Sequence, residues 1–306
     1  MQPDPVRRRL LPLATAVACA ACLPVEAVAS PLSGSISLGA EYDSNVSLDE
    51  GDINSHLGDA AITLGANVDL RVIDTKPLRL RLGYGFDLTT HQDLEDFDLE
   101  IHQLTASASL RAGKASLGMD YRYAHVRLDR DGFLDLHFVS PSISGFVSKN
   151  GFARLGATYT RKAYRTSTKL DANTLQLTAD FYRFFSKRKG YVALGIRHDA
   201  ENAGGPEFDY RANQASVRAQ IPFRAIKTAI RLQLSYAYGE RDYRNVTPSI
   251  GERRREKRST YGISLDAALT KRLSFRPALR FVDRQSNVPA FDYREHTVTT
   301  ELRYKF

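Results

Sequence analysis

Long apolar runs are missing from this 306-residue chain. The nearest approach, Leu10 to Leu23, falls short of the roughly 20 residues that a membrane-spanning helix needs. Tryptophan is absent, methionine occurs twice, and the two cysteines are Cys19 and Cys22. Both cysteines fall inside a predicted leader, so the rest of the chain is expected to form no disulfide and no thiolate-held metal site. Helical periodicity is lacking after the leader, which argues against helix bundles and folds built on amphipathic helices. No Gly-rich phosphate loop, metal-ligand cluster, TPR-like repeat or nucleophile motif occurs. His56, His91, His102, His125, His137, His198 and His296 are scattered without a motif that ties any of them to a nucleophile. The expectation is therefore no enzyme and no cofactor.

What is present begins with an export signal. Arg7, Arg8 and Arg9 precede the short apolar run, and Ala27-Val28-Ala29 is a small-x-small cleavage site that would release Ser30. Residues 1–29 read as a Sec-type signal peptide and residues 30–306 as one domain, with no linker or composition shift to divide it. The leader holds those three arginines against Asp4 and Glu26, so nearly all of the formal charge of +8 stays on the exported chain. An exported basic chain is not expected to meet nucleic acid; acidic lipid head groups and anionic solutes are its natural partners.

From Gly34 onward one unit recurs: a stretch of period-two alternation, then a break. Fourteen such strands are predicted near 35–47, 60–74, 78–90, 99–111, 115–128, 135–148, 151–163, 173–185, 190–199, 208–222, 227–240, 259–270, 273–286 and 293–306. In the last, Val298, Leu302, Tyr304 and Phe306 share one face and Thr299, Glu301, Arg303 and Lys305 the other. In the clearest, Ile230, Leu232, Leu234, Tyr236 and Tyr238 alternate with Arg231, Gln233, Ser235, Ala237 and Gly239. Breaks alternate as well. Short turns at Asp74–Pro77, Ala112–Lys114, Ser148–Gly151, Ser186–Gly190, Pro222–Ala225 and Thr270–Arg272 alternate with breaks at Asp49–Gly58, His91–Asp98, Tyr164–Asp171, Asp199–Glu207, Glu240–Arg258 and Arg284–Asp292, which are mostly longer. Asp129–Gly132 is the short member of that second series. Short turns on one rim and long loops on the other is the arrangement of a transmembrane antiparallel up-and-down β-barrel of outer-membrane type, with the turns periplasmic. A mean hydropathy of −0.35 does not oppose this, because each barrel strand is half polar.

That orientation predicts aromatic girdles built from tyrosine and phenylalanine alone. Tyr42, Tyr84, Phe86, Tyr121, Tyr123, Tyr159, Tyr236, Tyr238 and Phe281 should form the upper one, and Phe181, Tyr304 and Phe306 the lower. Two prolines interrupt the pattern: Pro277 predicts a bulge in its strand, and Pro141 disturbs another. The opposite faces should line the lumen. They offer Arg71, Arg79, Arg81, Arg122, Arg154, Arg197, Arg218, Arg231, Arg276, Arg280 and Arg303 against Glu41, Asp69, Asp87, Asp120, Asp180, Asp266 and Glu301. Two readings stay open: an anion-favouring pore and a self-neutralising lattice that braces the wall. The basic run Arg253-Arg254-Arg255 with Lys257 and Arg258 reads as a loop, either gripping lipid phosphates or simply solvated. The acidic stretch Asp93, Glu95, Asp96, Asp98 and Glu100 reads as a strand extension rather than a cation site.

Two stretches carry a family resemblance. Gly39-Ala40-Glu41-Tyr42-Asp43-Ser44-Asn45-Val46 is similar to the opening of the carboxy-terminal barrel of surface lipoprotein assembly modifiers (Slam proteins), with Tyr42, Asp43, Ser44 and Asn45 as its core. Ser286-Asn287, then Phe291-Asp292-Tyr293-Arg294 and the terminal Phe306, resemble that barrel's closing segment. The resemblance covers the chain from about Ser33 and implies a fourteen-stranded barrel that passes a lipoprotein or another exported protein across the outer membrane. It departs from the family in one respect: Slam proteins carry a periplasmic TPR domain before the barrel, whereas here only a few residues separate the cleavage site from the first strand. Substrate capture would then fall to another chain. The competing expectation is a small porin with an Arg-rich lumen. Outer-membrane lipid, lipopolysaccharide and the barrel-assembly machinery are the expected partners, and Tyr304 with Phe306 is the expected assembly signal.

Overall fold

The computed structural model describes residues 31–48, 53–225 and 228–306. The predicted leader and its cleavage site lie outside these residues, as do positions 49–52 of the first loop and 226–227 of one turn. Fourteen strands follow one another: β1 (Leu32–Asp43), β2 (Asp59–Asp74), β3 (Leu78–His91), β4 (Leu99–Ala112), β5 (Ala115–Leu128), β6 (Asp131–Phe146), β7 (Gly151–Tyr164), β8 (Ala172–Phe185), β9 (Gly190–Ala203), β10 (Tyr210–Ala225), β11 (Thr228–Thr247), β12 (Glu252–Ala268), β13 (Leu273–Ser286) and β14 (Tyr293–Lys305). Each pairs antiparallel with the next, and β14 pairs with β1 to close the barrel. Closure leaves no strand edge with unpaired amides, the one way a sheet can sit in hydrocarbon.

The period-two pattern sorts side chains as expected. Leu38, Ile62, Leu82, Leu104, Leu155, Leu194, Ile263 and Leu279 are exposed on the outer face, where a membrane would cover them. Tyr42, Tyr84, Tyr121 and Tyr159 stand exposed toward the long-loop rim, and Phe181, Tyr304 and Phe306 toward the short-turn rim. Histidines take girdle places beside them. Tyr84 and Tyr121 hydroxyls meet His102 and His137 Nδ1 at 2.7 and 2.9 Å, and Tyr236, Tyr261, Phe281 and His296 form a row with centroids 4.7–5.9 Å apart. With no tryptophan available, imidazoles supply flat, polar-edged rings at the interface.

Five expectations need correction. Pro277 makes no bulge: it pairs with Thr300 in unbroken register, and only the β12 side skips, between Ser264↔Ala278 and Ala267↔Phe275. Pro141 is solved the same way, paired with Met119 on one side and skipped between Val139↔Tyr159 and Ser142↔Gly156 on the other. A missing amide costs one side of the ladder, and the register survives. Pro222 lies inside β10 opposite Arg231, so that turn falls later than Pro222–Ala225. The long break Glu240–Arg258 is mostly strand, because β11 and β12 run on to Thr247 and Glu252. The acidic stretch is likewise no strand extension, since Glu95–Phe97 is a 3-10 turn. Asp129 and Arg130 both have positive φ and make a two-residue hairpin turn.

The seam between β1 and β14 is the shortest ladder, running from Ser35↔Lys305 to Asp43↔Thr297. Beyond it, Gly34 and Phe306 exchange backbone hydrogen bonds at 3.2 and 3.1 Å. The Phe306 ring lies over Gly34, where an added Cβ would stand 2.6 Å from Phe306 Cζ and 2.6 Å from Asn67 O. Gly34→Val is therefore expected to splay the seam. Its folded, unboiled form should dissociate on SDS gels at a temperature several degrees lower than wild type, and an unchanged transition would refute the close packing.

Candidate functional site

The lumen is filled unevenly. Buried inward-facing residues gather at the long-loop end, among them Leu134, Leu136, Tyr164, Tyr210, Tyr243, Val282 and Tyr293. On one side of that end an apolar cluster of Ala124, Val126, Phe133, Leu134, Leu136 and Tyr164 receives Ile53 and Leu170 from two loops. Ile53 belongs to a small hairpin in the first loop, Ser47–Leu48 paired with Ile53–Asn54. Ser47 Oγ donates to Glu295 Oε2 of β14 at 3.1 Å. The first loop thus folds inward, touching the walls of β5–β7 and of β14.

The facing wall is charged. Alternation turns Arg253, Arg255 and Lys257 outward, while Arg254, Glu256 and Arg258 point in. The sequence shows the run; only the continued strand sorts it into two faces. Glu256, 6% exposed, is shared by three guanidiniums. Arg284 Nη2 reaches its two oxygens at 3.0 and 3.1 Å, Arg254 bonds Oε1, and Arg241 Nη1 stands 3.7 Å from Oε2. Each guanidinium also stacks on a ring: Arg241 at 4.3 Å from the Tyr210 centroid, Arg254 at 3.7 Å from Phe291, and Arg284 at 5.7 Å from Tyr293. Stacking on rings stabilises weakly hydrated guanidinium away from water. Beside this clamp, Glu201 accepts from Lys162, Thr174 and Tyr210 at 3.2, 2.7 and 3.1 Å.

Arg241, Glu256, Arg284, Glu201, Lys162, Thr174 and Tyr210 line a cavity of about 440 Å³ that spans β6 to β13. Lining it, Lys162, Arg197, Arg241, Arg258, Arg280 and Arg284 stand against Asp199, Glu201, Glu240 and Glu256, so cations exceed carboxylates there. The adjoining cavity sets Glu41, Asp43 and Glu295 against Arg258 and Arg280. Arg197 and Arg280 spend one contact each, on Asp199 at 2.9 Å and Glu295 at 2.8 Å, and their side chains remain 43% and 44% exposed, with further N–H groups toward the lumen.

Elsewhere the inner arginines form the lattice that the sequence left as one of two readings. Arg231 meets Asp266 at 2.6 Å, Arg276 meets Glu301 at 3.3 Å and Asp266 at 3.9 Å, and Arg303 meets Glu301 at 3.0 Å. Arg218 meets Asp180 at 2.8 Å, Arg154 meets Asp120 at 4.0 Å, and Arg71 and Arg79 share Asp74 at 3.7 and 3.3 Å. Arg122 stacks 4.2 Å over Phe138 instead, and Arg81 has no ion-pair partner among the described residues. Most of these inner charges are thus locally paired, and the cavity at the long-loop end holds more cations than carboxylates.

The residues that carry the family resemblance have structural work at the seam. Asp43 Oδ1 accepts the Asn45 amide at 2.9 Å, and Ser44 Oγ accepts the His296 amide at 2.8 Å while its own amide donates to His296 O at 3.0 Å. Asn45 is buried, and Tyr42 faces outward. The stretch ends β1, ties it to β14 and turns the first loop inward. Of the acidic stretch, Asp98 Oδ1 accepts the His91 amide at 2.7 Å, and among the described residues no group of three or more acidic, His or Cys side chains is arranged to hold a metal ion. Sequence reasoning missed Glu256, Glu201, Glu295 and Arg284, which lay in segments read as loops or were never assigned a face.

The sequence matches no protein-family model and no curated protein. Solved structures do match in fold. OmpT of Vibrio cholerae, expressed in the outer membrane, aligns at a TM-score of 0.55 and 9% identity over 92% of this chain and 99% of that one. An anion-selective porin from Comamonas acidovorans aligns at 0.51 and 11% identity over 90% and 98%. A loop L8 deletion mutant of the Vibrio protein aligns at 0.52 and 8% over 90% and 99%. At such identities the likeness is one of fold, and no match singles out the surface lipoprotein assembly modifiers. By its closed topology and these neighbours, the chain has the fold of a fourteen-stranded outer-membrane β-barrel.

Proposed function

We propose that this chain resides in the outer membrane and passes small solutes, with a preference for anions. The observation that carries the reading is the cationic excess lining the cavity between β6 and β13, with Arg197 and Arg280 half exposed beside a fully committed Glu256 clamp. A low-dielectric wall focuses the field of such charges into the lumen and raises the local anion concentration. Acidic Glu41, Asp43 and Glu295 share a cavity with Arg258 and Arg280, so part of the field runs across the lumen rather than along it. The short-turn rim then faces the periplasm, and Arg253, Arg255 and Lys257 face outer-leaflet lipopolysaccharide, whose phosphates they match. Delivery there requires a signal peptide and the barrel-assembly machinery.

In planar bilayers under a KCl gradient, the reversal potential is expected to report chloride permeating better than potassium. An Arg197→Gln, Arg280→Gln double variant should bring the channel close to unselective. Cation preference in wild type, or unchanged selectivity in the variant, would refute the reading.

A second reading, passage of an exported lipoprotein as in Slam proteins, draws support from one observation. The opening stretch is tied to β14, the strand in which the closing one ends, where Ser44 bonds His296 beside the infolded loop. Loss of surface-exposed lipoproteins on deleting the gene would favour it, and unchanged surface lipoproteins would leave the solute channel.

A further inference from the structure

At the short-turn end the lumen wall changes character. Phe146, Phe152, Tyr182, Phe184 and Tyr191, from β6 to β9, all point inward. Their ring centroids lie 5.2–6.3 Å apart, mostly edge to face, with Tyr182 and Phe184 stacked. Phe146 is 46% exposed and the others are half-buried. Rings that only filled space would be buried, as Tyr210 and Tyr243 are at the other end. An exposed apolar patch on a wall that is otherwise serine, arginine and aspartate marks a surface for something that passes or binds.

The patch has a cationic counterpart. One cavity of about 470 Å³ takes in Phe152, Tyr182, Phe184 and Tyr191 together with Arg79, Arg81 and Arg154. Its floor between them is serine, from β4 to β6. Arg81 has no carboxylate partner among the described residues, whereas Arg79 meets Asp74 at 3.3 Å and Arg154 stands 4.0 Å from Asp120, which also lines the cavity. The β8–β9 turn adds a fixed element. Ser186, Lys187 and Arg188 all have positive φ, an arrangement L-residues adopt only under constraint. It sets Arg188 4.4 Å over the Phe146 ring, with Nη2 donating to Lys149 O at 2.9 Å.

We propose that this short-turn cavity is a binding site for small carboxylates carried on a flat apolar ring, of the benzoate type. The ring stacks among Tyr182, Phe184 and Tyr191, and the carboxylate takes the paired N–H fork of Arg81. Volumes of this order suit ligands of that size. The proposal rests on the lumen being open to solutes, and it adds a ligand class that the chloride preference does not address.

Calorimetry on the detergent-folded full chain reads binding whether or not the barrel conducts. Benzoate is expected to bind about tenfold more tightly than acetate, which lacks the ring, and than benzyl alcohol, which lacks the charge. Phe184→Ser should erase the advantage of benzoate over acetate, and Arg81→Gln should weaken both carboxylates. Phe146→Ser, at the rim, serves if Phe184→Ser does not fold, and is expected to reduce the same ratio. Equal affinity for benzoate and acetate, tighter binding of glucuronate than of benzoate, or no binding of any probe would overturn the assignment. If chloride selectivity holds while benzoate shows no preference, the ligand class alone fails. If benzoate binds and the bilayer shows no anion preference, the channel reading fails instead.

Discussion

Replacing Glu256 with alanine is expected to destabilise the barrel by about 3–5 kcal/mol, the range seen when one partner of a buried ion cluster is removed. Glu256 is the carboxylate that Arg241, Arg254 and Arg284 have in common, and Arg254 and Arg284 are each about as buried as it is. Without it, three guanidiniums on β11, β12 and β13 lose the carboxylate they share. Glu201 is engaged with Lys162, Thr174 and Tyr210, and Glu295 with Arg280, so neither is available as a substitute. Thermal unfolding followed by circular dichroism in detergent should show a large drop in the transition temperature. Adding Arg254→Met and Arg284→Leu to Glu256→Ala should recover most of it, because a packed apolar cluster replaces an ion cluster at little cost. Equal stability of Glu256→Ala and wild type would mean that the clamp contributes nothing.

Deletion of Phe306 is expected to lower the amount of barrel in the outer membrane about tenfold, while protein refolded in detergent keeps most of its heat-modifiable mobility. The asymmetry follows from what the residue does in the fold. Its backbone adds one exchange of hydrogen bonds with Gly34 past the end of the β1–β14 ladder, a term of about 1 kcal/mol per bond. Its ring covers Gly34 from outside and belongs to the lower girdle with Tyr304. A loss of that size leaves a fourteen-stranded barrel folded. Recognition of the terminal strand during insertion is the step that a missing carboxy-terminal aromatic would damage. Normal outer-membrane levels of the deletion variant, measured on fractionated membranes, would sink this assignment.

The fold was legible because every strand writes its own orientation. Leu78, Leu80, Leu82 and Tyr84 alternate with Arg79, Arg81 and Gly83, and no partner is needed to see that one face meets lipid and the other water. Ala115–Leu128 and Leu273–Ser286 were placed without error. Misreadings came where polar residues occupy both faces. In Glu240–Arg258 neither face is apolar, so alternation loses its signal and a paired segment looks like a loop. Pro277 misled for a different reason: its missing amide points to β12, where the ladder can skip without a shift in register.

By itself, the sequence determined the barrel, its strand number, which rim carries the long loops and which arginines of the cleanly alternating strands face inward. All of these depend on local alternation and turn chemistry. Only the tertiary structure decided which charges neutralise one another. Pairs such as Arg218 with Asp180 and Arg280 with Glu295 join different strands, and their meeting is fixed by register and stagger around a closed sheet rather than by spacing along the chain. The same holds for the five rings at the short-turn mouth. Each is an ordinary aromatic in its own strand, and closure of the barrel makes them a single surface, four of its rings sharing a cavity with Arg81.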